Sequence, residues 1–434
     1  MDLLTANDRP GHYPDSYYAA TAPLLDAFPP AASLPQEARR ADVAIVGAGY
    51  AGLSAALCLA EAGYDVIVLE ANRVGAGASG RNGGQVGPGQ RVDQVSLEGM
   101  VGASKARALW QVGLSALEEV TSRCATHQID AEWQPGVIEA AHRPRFVSEF
   151  EEYAAHMGQH YGHELEVLDR EGIQAHVGSP GYHGGLLDRQ AGHLHPLKYL
   201  LGLARAAVAA GVRIHEGSRV LDITPGTGVQ LEGADIAASH VLVCANGYLG
   251  SLLPGPAART MPINNFIAAT EPLSPDFARS LIRDNHAVAD TRFVINYFRL
   301  SQDLRMLFGG GESYGWTFPR DIAAKVRRPM LEVYPQLADT RIDYAWGGTL
   351  GITMSRLPHF TRVGKDVLSV GGFSGHGVAL ATLAGRMAAE AIRGQAERFD
   401  LMASLPTPRF PGGRALRHPL LVAGMVWYAL RDKL

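Results

Sequence analysis

The stretch that decides the fold is residues 42–70, DVAIVGAGYAGLSAALCLAEAGYDVIVLE. Its apolar ends predict two strands, and the alanine- and leucine-rich run between them predicts a helix over residues 50–62 that Gly63 ends. The motif GAGYAG, residues 47–52, stands where the first strand turns into the helix. Glycines there bring backbone N–H groups and the positive end of the helix dipole against a pyrophosphate. The stretch therefore predicts a βαβ unit that binds a dinucleotide.

Glu70 supports this interpretation from the end of the second strand, 23 residues after Gly47. A carboxylate at that place accepts a hydrogen bond from a ribose hydroxyl of the nucleotide. The alternative is a tight strand-to-helix turn that holds no ligand, and the strand–turn–helix context favours the nucleotide over it. The motif alone leaves both NAD and FAD open.

A second glycine-rich loop, GAGASGRNGGQ at residues 75–85, follows the second strand. Further glycine clusters occur at residues 309–311 and 371–377, each beside an apolar run. Such loops let the backbone approach a ligand closely, because glycine has no side chain. The sequence therefore predicts ligand-contacting loops at these places.

With these motifs the chain resembles the D-amino-acid-oxidase-like FAD-dependent amine oxidases, which include glycine oxidase and sarcosine oxidase. The resemblance covers nearly the whole chain, through residues 42–85, Trp346-Gly347-Gly348 and SVGGFSGHGV at residues 369–378. It implies an α/β fold in which a Rossmann-like FAD-binding domain of the glutathione-reductase type is interleaved with an antiparallel β-sheet substrate domain. It also implies non-covalent FAD, because sarcosine-type members attach the flavin through a later cysteine and none follows Cys244.

The predicted elements divide the chain between these two domains. Residues 1–40 are proline-rich and predict an irregular lead-in. A helix at residues 197–210 and strands at 213–215 and 241–244 predict returns to the nucleotide-binding sheet, whereas the alternating residues 292–300 predict an antiparallel strand of the substrate sheet. We expect the FAD domain at 41–100, 190–255 and 346–400, the substrate domain at 101–189 and 256–345, and a C-terminal extension with a docked helix at 401–434.

The resemblance also implies FAD contacts position by position. The implied contacts to pyrophosphate and adenosine ribose are Gly47, Gly49, Tyr50, Ala51, Gly52, Glu70 and Ala71. Those to phosphate, ribityl and isoalloxazine are Ser79, Gly80, Arg81, Asn82, Gly83, Gly84 and Gln85. The remaining implied contacts are Val220 beside adenine, a second dinucleotide contact at Ala245, Asn246 and Gly247, and a flavin-edge loop of Gly372, Phe373, Ser374, Gly375, His376, Gly377 and Val378.

Residues 375–378 have a physical rationale of their own. They are expected to begin a helix, and a helix N-terminus offers about half a positive charge. A reduced flavin carries negative charge near N1 and C2=O, which such a terminus stabilises. His376 in this loop either adds to that stabilisation or takes a proton, or it is a structural histidine that bridges backbone groups. Both interpretations stay open.

Two departures from the family pattern bear on the substrate. Members that oxidise α-amino acids commonly carry an arginine where this chain has Leu350, and sarcosine-type members carry a lysine where it has Ala379. A carboxylate next to the reacting carbon would lose charge-assisted partners worth about 1.5–3 kcal/mol for each missing bond. A simple α-amino acid is therefore disfavoured as the substrate.

Other segments, among them SYYAA at residues 16–20, AGHLHPL at 191–197 and YFRL at 297–300, are similar to oxidases of gamma-glutamylated diamines within the same family. That likeness implies a small-molecule amine that is oxidised to an aldehyde, with release of ammonia and reduction of O₂ to H₂O₂. The candidate catalytic and substrate-pocket residues are His376, Tyr297, Arg299, Trp346, Met354 and Arg356. Arg299 is expected to meet the glutamyl carboxylate, and the aromatic residues are expected to form a wall.

The alternative for Tyr297 and Trp346 is that they are core aromatics, and for Arg299 that it is a solvated charge. Three functional alternatives also stay open. The substrate could be another gamma-glutamyl polyamine or a secondary amine. The enzyme could be a dehydrogenase that passes electrons to a membrane quinone, with the apolar residues 420–430 as a surface anchor. The protein could also bind flavin without catalysis.

The composition narrows the class of protein further. The chain of 434 residues has 39 Lys+Arg against 43 Asp+Glu, a net charge of −4, which predicts no nucleic-acid partner. The three cysteines and an N-terminus without a signal-peptide pattern predict a cytoplasmic protein. The late apolar run is shorter than the roughly 20 residues of a bilayer span, so no transmembrane segment is predicted. His193 and His195 resemble a zinc pair but lack companion ligands, so no metal site is predicted. The sequence predicts no oligomeric state.

Overall fold

The structure is a computed structural model, and it describes residues 2–311 and 315–412. The strands are, in chain order, β1 Arg40–Val46, β2 Val66–Leu69, β3 Gln85–Val86, β4 Gln134–Ala140, β5 Glu166–Leu168, β6 Gly185–His193, β7 Arg213–His215, β8 Val220–Thr224, β9 Gly228–Leu231, β10 Ala234–Val243, β11 Met261–Thr270, β12 Ala287–Asp290, β13 Tyr297–Leu300, β14 Met306–Gly309, β15 Ile342–Ile352, β16 His359–Val363 and β17 Val367–Gly371.

The α-helices are α1 Leu3–Ala6, α2 Tyr17–Thr21, α3 Tyr50–Glu61, α4 Gln94–Val101, α5 Ala103–Thr126, α6 Arg145–Tyr161, α7 Arg170–His176, α8 Pro196–Ala209, α9 Pro254–Ala257, α10 Pro275–Leu281, α11 Ile322–Val333, α12 Gly377–Ile392 and α13 Glu397–Ala403. The docked helix expected at residues 420–430 lies outside the described residues.

The first sheet has the strand order β16-β17-β10-β1-β2-β7, with β8 and β9 attached to β10. Its centre is parallel, since β1 pairs in parallel with both β2 and β10. Val43 of β1 stands opposite Val66 on one side and His240 on the other. The last four residues of β1 are buried, as expected for a strand covered on both faces. This sheet and α3 form the βαβ unit that the sequence predicts.

Helices α3 and α12 pack closely against each other beside this sheet. A Cβ atom at Gly385 of α12 would lie only 2.1 Å from the backbone oxygen of Ala51 in α3. Leu53 and Leu57 of α3 are fully buried, and each buried leucine stabilises the fold by about 1.5–3 kcal/mol. The contact therefore brings two helices together at the residues where α3 begins.

The second sheet has the strand order β15-β11-β14-β13-β12-β4-β6-β3, with β5 beside β6. Its pairs are antiparallel apart from β12 and β4, which run in parallel. The chain alternates between the two sheets: β1, β2, β7–β10, β16 and β17 belong to the first sheet, and β3–β6 and β11–β15 belong to the second. The boundaries expected at residues 190 and 346 fall inside β6 and β15.

The strand expected at residues 292–300 is shorter than its alternation suggests, because β13 begins only at Tyr297. Asp290 accounts for the difference. One oxygen of its carboxylate accepts hydrogen bonds from the backbone N–H groups of Arg292, at 3.2 Å, and Asn296, at 3.0 Å. These bonds close a loop between β12 and β13 where the alternation predicts a strand.

The first forty residues are largely irregular, as their prolines suggest, but the described residues 2–40 also pack onto the rest of the chain. Ser16 caps α2, and Tyr17 and Tyr18 are almost fully buried. Asp8 forms an ion pair with Arg81 at 2.7 Å. The N-terminal segment is therefore part of the packed core.

Candidate active site

The turn between β1 and α3 can only be built from glycine at two positions. Gly47 has a φ of +103°, and a Cβ atom at Gly52 would lie 1.9 Å from the Gly47 backbone oxygen. Gly49 precedes α3, and a Cβ there would lie 2.8 Å from Ser79 Oγ. The N–H of Tyr50, the first residue of α3, donates to that hydroxyl at 3.2 Å. The turn thus brings together a helix N-terminus and a serine hydroxyl, which suits a phosphate.

Glu70 fastens the same turn to the end of β2. One carboxylate oxygen accepts the N–H of Ala48 and the other accepts the N–H of Asn72, both at 2.9 Å. Burial raises the pKa of Glu70, and these backbone hydrogen bonds oppose that shift. Each carboxylate oxygen keeps a second lone pair for a hydroxyl donor. Glu70 is therefore placed to hold a ribose, with Ala71 next to it in the chain.

The loop at residues 75–85 lies against this turn through Ser79 and is held by Asn82. The Asn82 side chain donates to the backbone oxygens of Ala78, at 3.1 Å, and Ser79, at 2.9 Å, and accepts the N–H of Gly84 at 2.8 Å. A Cβ atom at Gly80 would lie 2.3 Å from the Gly75 backbone oxygen. Asn82 therefore acts as the internal brace of the loop.

Arg81, expected to cover phosphate and ribityl groups, is committed to protein partners. The residue is 3% exposed. Its guanidinium forms an ion pair with Asp8 at 2.7 Å and donates to the backbone oxygen of Gly347 at 3.1 Å. Its own backbone oxygen accepts the indole N–H of Trp346 at 3.0 Å. Arg81 thus joins the N-terminal segment to β15, and its charge is satisfied by protein partners.

Tyr297 is where the second sheet meets this loop. Its ring packs directly against Gly83 and Gly309. A Cβ atom added at Gly83 would lie 2.7 Å from the ring, and one added at Gly309 would lie 2.0 Å from it. Its hydroxyl donates to the amide oxygen of Asn265 on β11 at 2.5 Å. Gln85, at the end of the loop, donates from its side chain to the Val288 backbone oxygen at 2.9 Å. Tyr297 and Asn265 are both half-buried, so an aromatic ring and an amide lie together where the second sheet contacts this loop.

Arg299 does not meet the expectation that it binds a substrate carboxylate. The residue is 3% exposed, and its guanidinium donates to the backbone oxygens of Gly83, at 2.8 Å, and Leu194, at 3.0 Å. A further N–H donates to the Tyr18 hydroxyl at 3.3 Å. The structure therefore corrects this prediction, because the donors of Arg299 serve to hold the 75–85 loop to the protein.

The other pocket candidates occupy two different environments. Trp346 is buried and packs edge-on against Tyr18, with ring centroids 5.1 Å apart, in agreement with the core alternative. Met354, 47% exposed, and Arg356, with a φ of +62°, lie in the turn after β15. That turn contacts the 372–378 loop, since the N–H of Thr353 donates to Ser374 Oγ at 3.2 Å.

The 372–378 loop is held by the second dinucleotide segment that the resemblance implies. The Asn246 side chain, beside Ala245, accepts the N–H of Gly372 at 2.9 Å. A Cβ atom at Gly247 would lie 2.9 Å from the Leu350 backbone oxygen. No heavy atom of the described residues lies within 4 Å of where a Cβ atom of Gly375 would be. The loop therefore leaves open space immediately before α12, as a ligand at a helix N-terminus requires, with Phe373 and Val378 buried on either side.

His376 stands at the N-cap position of α12, where its side chain makes no capping bond. Its Nε2 atom is buried and has no hydrogen-bond partner among the described residues. Burial, together with the positive charge of Arg91, lowers the pKa of His376 to about 4. The side chain of His376 is therefore neutral at neutral pH.

His193 and His195 do not form a pair. His195 caps α8 by accepting the N–H of Lys198 on Nδ1 at 3.1 Å, and its Nε2 lies 3.0 Å from the Thr21 hydroxyl. His193 Nε2 lies 2.7 Å from the backbone oxygen of Asn285 instead. Burial lowers the pKa of both histidines to about 3. Both are buried structural residues.

Two contributors were missed from the sequence. Asp8 lies in a segment expected to be irregular, and no local pattern connects it with Arg81. Asn265 interrupts an apolar strand, and a polar residue in that position is a signal that could have been used. Val220, by contrast, was expected beside adenine, and it lies at the start of β8, two residues after Ser218, whose N–H donates to the Glu70 backbone oxygen at 2.8 Å.

These groups fit a flavin dinucleotide. The turn at the start of α3 offers amide and hydroxyl donors for a pyrophosphate, Glu70 offers acceptors for a ribose, and the start of α12 offers open space at a positive helix end. The chain belongs to the DAO family of FAD-dependent oxidoreductases, whose model matches residues 42–391. It is therefore an FAD-dependent oxidoreductase, as the motifs imply.

Relatives cover nearly the whole chain. It is 42% identical over 422 residues to a probable oxidoreductase named OrdL from Rhizobium meliloti (strain 1021), covering 96% of this chain and 97% of that protein. It is also 42% identical over 423 residues to the gamma-glutamylputrescine oxidoreductase of Escherichia coli (strain K12), covering 96% of this chain and 98% of that protein.

Solved structures confirm the fold class expected from the sequence. Glycine oxidase from Geobacillus kaustophilus superposes with a TM-score of 0.70 at 21% identity, covering 85% of this chain and 99% of that chain. L-proline dehydrogenase from P. horikoshii superposes with a TM-score of 0.69 at 20% identity, covering 85% of this chain and 98% of that chain. Within residues 2–311 and 315–412, no helix is long and apolar enough to cross a membrane.

Proposed function

We propose that the protein oxidises gamma-glutamylputrescine at its free terminal amine. The observation that carries this proposal is the 42% identity, over 96% of this chain, to the Escherichia coli protein named gamma-glutamylputrescine oxidoreductase. The match covers 98% of that protein, so it includes the strands of the second sheet as well as the FAD-binding motifs. The proposed products are the aldehyde, ammonia and H₂O₂.

The charges near the site support a substrate without a carboxylate on the reacting carbon. β15 carries Leu350 and α12 carries Ala379 at the two places where amino-acid-oxidising members of the family carry a cation. Arg299 is committed to backbone oxygens. A gamma-glutamyl diamine suits this arrangement, because its carboxylate lies at the opposite end of the molecule from the amine that reacts.

The Tyr297–Asn265 pair is the proposed wall for the substrate's methylene chain and amine. An aromatic face excludes water and packs against methylene groups. Burial in such a place disfavours the ammonium form and lowers the pKa of a bound amine. The neutral amine is the form from which the adjacent carbon is oxidised, so we expect kcat/KM to rise with pH across the alkaline range.

When bound, FAD supplies the hydride acceptor and passes the electrons on to O₂. The chain's own contribution is to bind, orient and exclude water. The start of α3, with Ser79, would hold the pyrophosphate, and Glu70 would hold a ribose hydroxyl. The N-terminus of α12 would supply partial positive charge, since His376 is neutral.

The test is anaerobic mixing of the purified holoprotein with gamma-glutamylputrescine, putrescine, sarcosine and glycine in turn, followed by flavin absorbance. Rapid reduction by the gamma-glutamyl amine, and slow or no reduction by the other three, is expected. Equal or faster reduction by glycine or sarcosine would overturn the substrate assignment. Aerobic turnover should give one H₂O₂ for each aldehyde, whereas turnover that requires a dye or quinone would identify a dehydrogenase instead.

A further inference from the structure

We propose a divalent metal site formed by His176, Asp284 and His286. His176 ends α7, and the other two residues lie in the loop before β12. One ligand atom from each lies within 4.8 Å of the others. His176 Nδ1 is 3.1 Å and His286 Nε2 is 3.9 Å from the same carboxylate oxygen of Asp284.

Backbone pairing holds the two ligand-bearing segments side by side. The N–H of Arg283 donates to the His176 backbone oxygen at 3.0 Å, and the N–H of Gly178 donates to the Leu281 backbone oxygen at 2.9 Å. Val177 and Ile282 form an isolated antiparallel bridge between these bonds. The three side chains are therefore positioned by the fold and need no ion to bring them together.

His286 has the hydrogen bonding that a metal-binding histidine needs. Its Nδ1 is 3.0 Å from the backbone oxygen of Pro135. A carbonyl oxygen only accepts, so Nδ1 carries the hydrogen and Nε2 keeps its lone pair. That Nε2 is buried without a hydrogen-bond partner among the described residues, in a residue that is only 8% exposed. Metal-bound histidines commonly donate their other ring N–H to a backbone carbonyl in this way.

In this structure the positively charged guanidinium of Arg283 lies against two of the proposed ligands, Asp284 and His176. The guanidinium is 2.6 Å from the same Asp284 oxygen and 3.1 Å from His176 Nδ1. The side chain is 48% exposed and can turn away into solvent.

The donor set selects the chemical class of ion. Two imidazole nitrogens and one carboxylate oxygen suit Zn²⁺ or a similar transition metal, whereas Mg²⁺ and Ca²⁺ prefer oxygen ligands. Bonds of about 2.0–2.2 Å in tetrahedral geometry place ligand atoms about 3.4 Å apart, and the two distances to Asp284 bracket this value. Asp284 is 40% exposed, so water can complete the coordination from the solvent side.

The test needs a background free of a second histidine pair. His156 and His160 lie one turn apart on α6, with ring centroids 4.6 Å apart and His156 bonded to Glu98, and such a pair binds transition metals by itself. The holoenzyme carrying His156→Gln and His160→Gln should therefore be stripped with a chelator and titrated with Zn²⁺ against a chromogenic chelator. One equivalent of Zn²⁺ per chain is expected to bind.

Three further substitutions in that background test the assignment. His286→Gln and Asp284→Asn should each weaken Zn²⁺ binding by more than the roughly 10- to 100-fold that loss of an outer partner costs. Arg283→Gln should strengthen it, because a competing cation is removed. Asp284 is exposed, so its variant tests the ligand role even if His286→Gln fails to fold. Unchanged affinity in Asp284→Asn, or weaker binding in Arg283→Gln, would overturn the proposal.

Thermal unfolding gives an independent measurement. A ligand that binds only the folded state raises stability by RT ln(1 + [L]/Kd). Zn²⁺ should therefore raise the Tm of the His156→Gln/His160→Gln protein and leave that of the triple variant with Asp284→Asn unchanged. An equal rise in both proteins would show that Zn²⁺ acts elsewhere and would overturn the site.

Discussion

Arg299 shows how burial decides what a charged residue does. From the sequence it is a cation on a strand with alternating polarity, and a substrate carboxylate is a reasonable partner. In the structure its donors reach Gly83, Leu194 and Tyr18. The residue therefore links the 75–85 loop to the segment before α8 and to the N-terminal helix α2.

We expect Arg299→Leu to destabilise the protein without a selective effect on substrate binding. Each backbone oxygen left without a donor costs about 1–3 kcal/mol, so the free energy of unfolding should fall by several kcal/mol in urea titrations. The ratio of KM values for gamma-glutamylputrescine and putrescine should stay as in the wild type. The exposed Arg320→Leu is the matched control and should change neither quantity. A rise in KM confined to the gamma-glutamyl substrate would restore Arg299 as its carboxylate partner.

Residue types with a local role could be predicted from the sequence, and those with a distant partner could not. Gly47 and Gly52 are required by one turn, and the GAGYAG motif reports that requirement directly. The Asp8–Arg81 ion pair joins residues far apart in the chain, and the His176–Asp284–His286 cluster does the same. No spacing rule reports such partners, because the fold alone brings them together.

At the scale of elements, the contact between α3 and α12 depends on the absence of a side chain at Gly385. We expect Gly385→Ala to push the helices apart, because its Cβ would lie 2.1 Å from the Ala51 backbone oxygen. Overpacking of this kind costs about 1–3 kcal/mol, occasionally more. FAD retention on gel filtration should fall together with the free energy of unfolding, since Ala51 belongs to the first turn of α3.

Gly99 provides the control for that substitution. It lies inside α4, and within the part of the chain that the structure describes no heavy atom is within 4 Å of where its Cβ would be. Gly99→Ala should stabilise the protein by about 0.5–1 kcal/mol through the lower backbone entropy of the unfolded chain. Full FAD retention and unchanged stability in Gly385→Ala would contradict the proposed close packing.

Elements that follow from local pattern agree with the structure, and the exceptions have identifiable causes. The strand expected at residues 213–215 is β7, and the helix expected at 197–210 is α8, which begins one residue earlier. The alternation at 292–300 is interrupted by the Asp290 hydrogen bonds. A side chain from the preceding strand overrides the pattern there, and the pattern itself contains no sign of it.

For the whole molecule, four histidines with lowered pKa values contribute to the expected response to mild acid. Burial lowers the pKa of His193 and His195 to about 3 and that of His359 and His376 to about 4. All four are neutral in the folded state and have an ordinary pKa of about 6.5 when unfolded. Below that value the unfolded chain therefore binds more protons than the folded one. Their contribution to stability is complete above about pH 6.5 and is lost as pH falls towards 4.

His359 isolates one of these contributions. Burial, with the charge of Arg259, lowers its pKa, and its Nδ1 is 2.8 Å from the Thr407 hydroxyl. We expect His359→Gln to lose stability at pH 7 and to recover relative to wild type as pH falls from 6.5 to 4, by up to about 1.4 kcal/mol per pH unit, because glutamine takes up no proton. Urea titrations at pH 7, 6 and 5 measure this difference. A constant gap between wild type and His359→Gln at all three values would mean that His359 has the same pKa folded and unfolded, and carbonyls or water must then solvate its charged form.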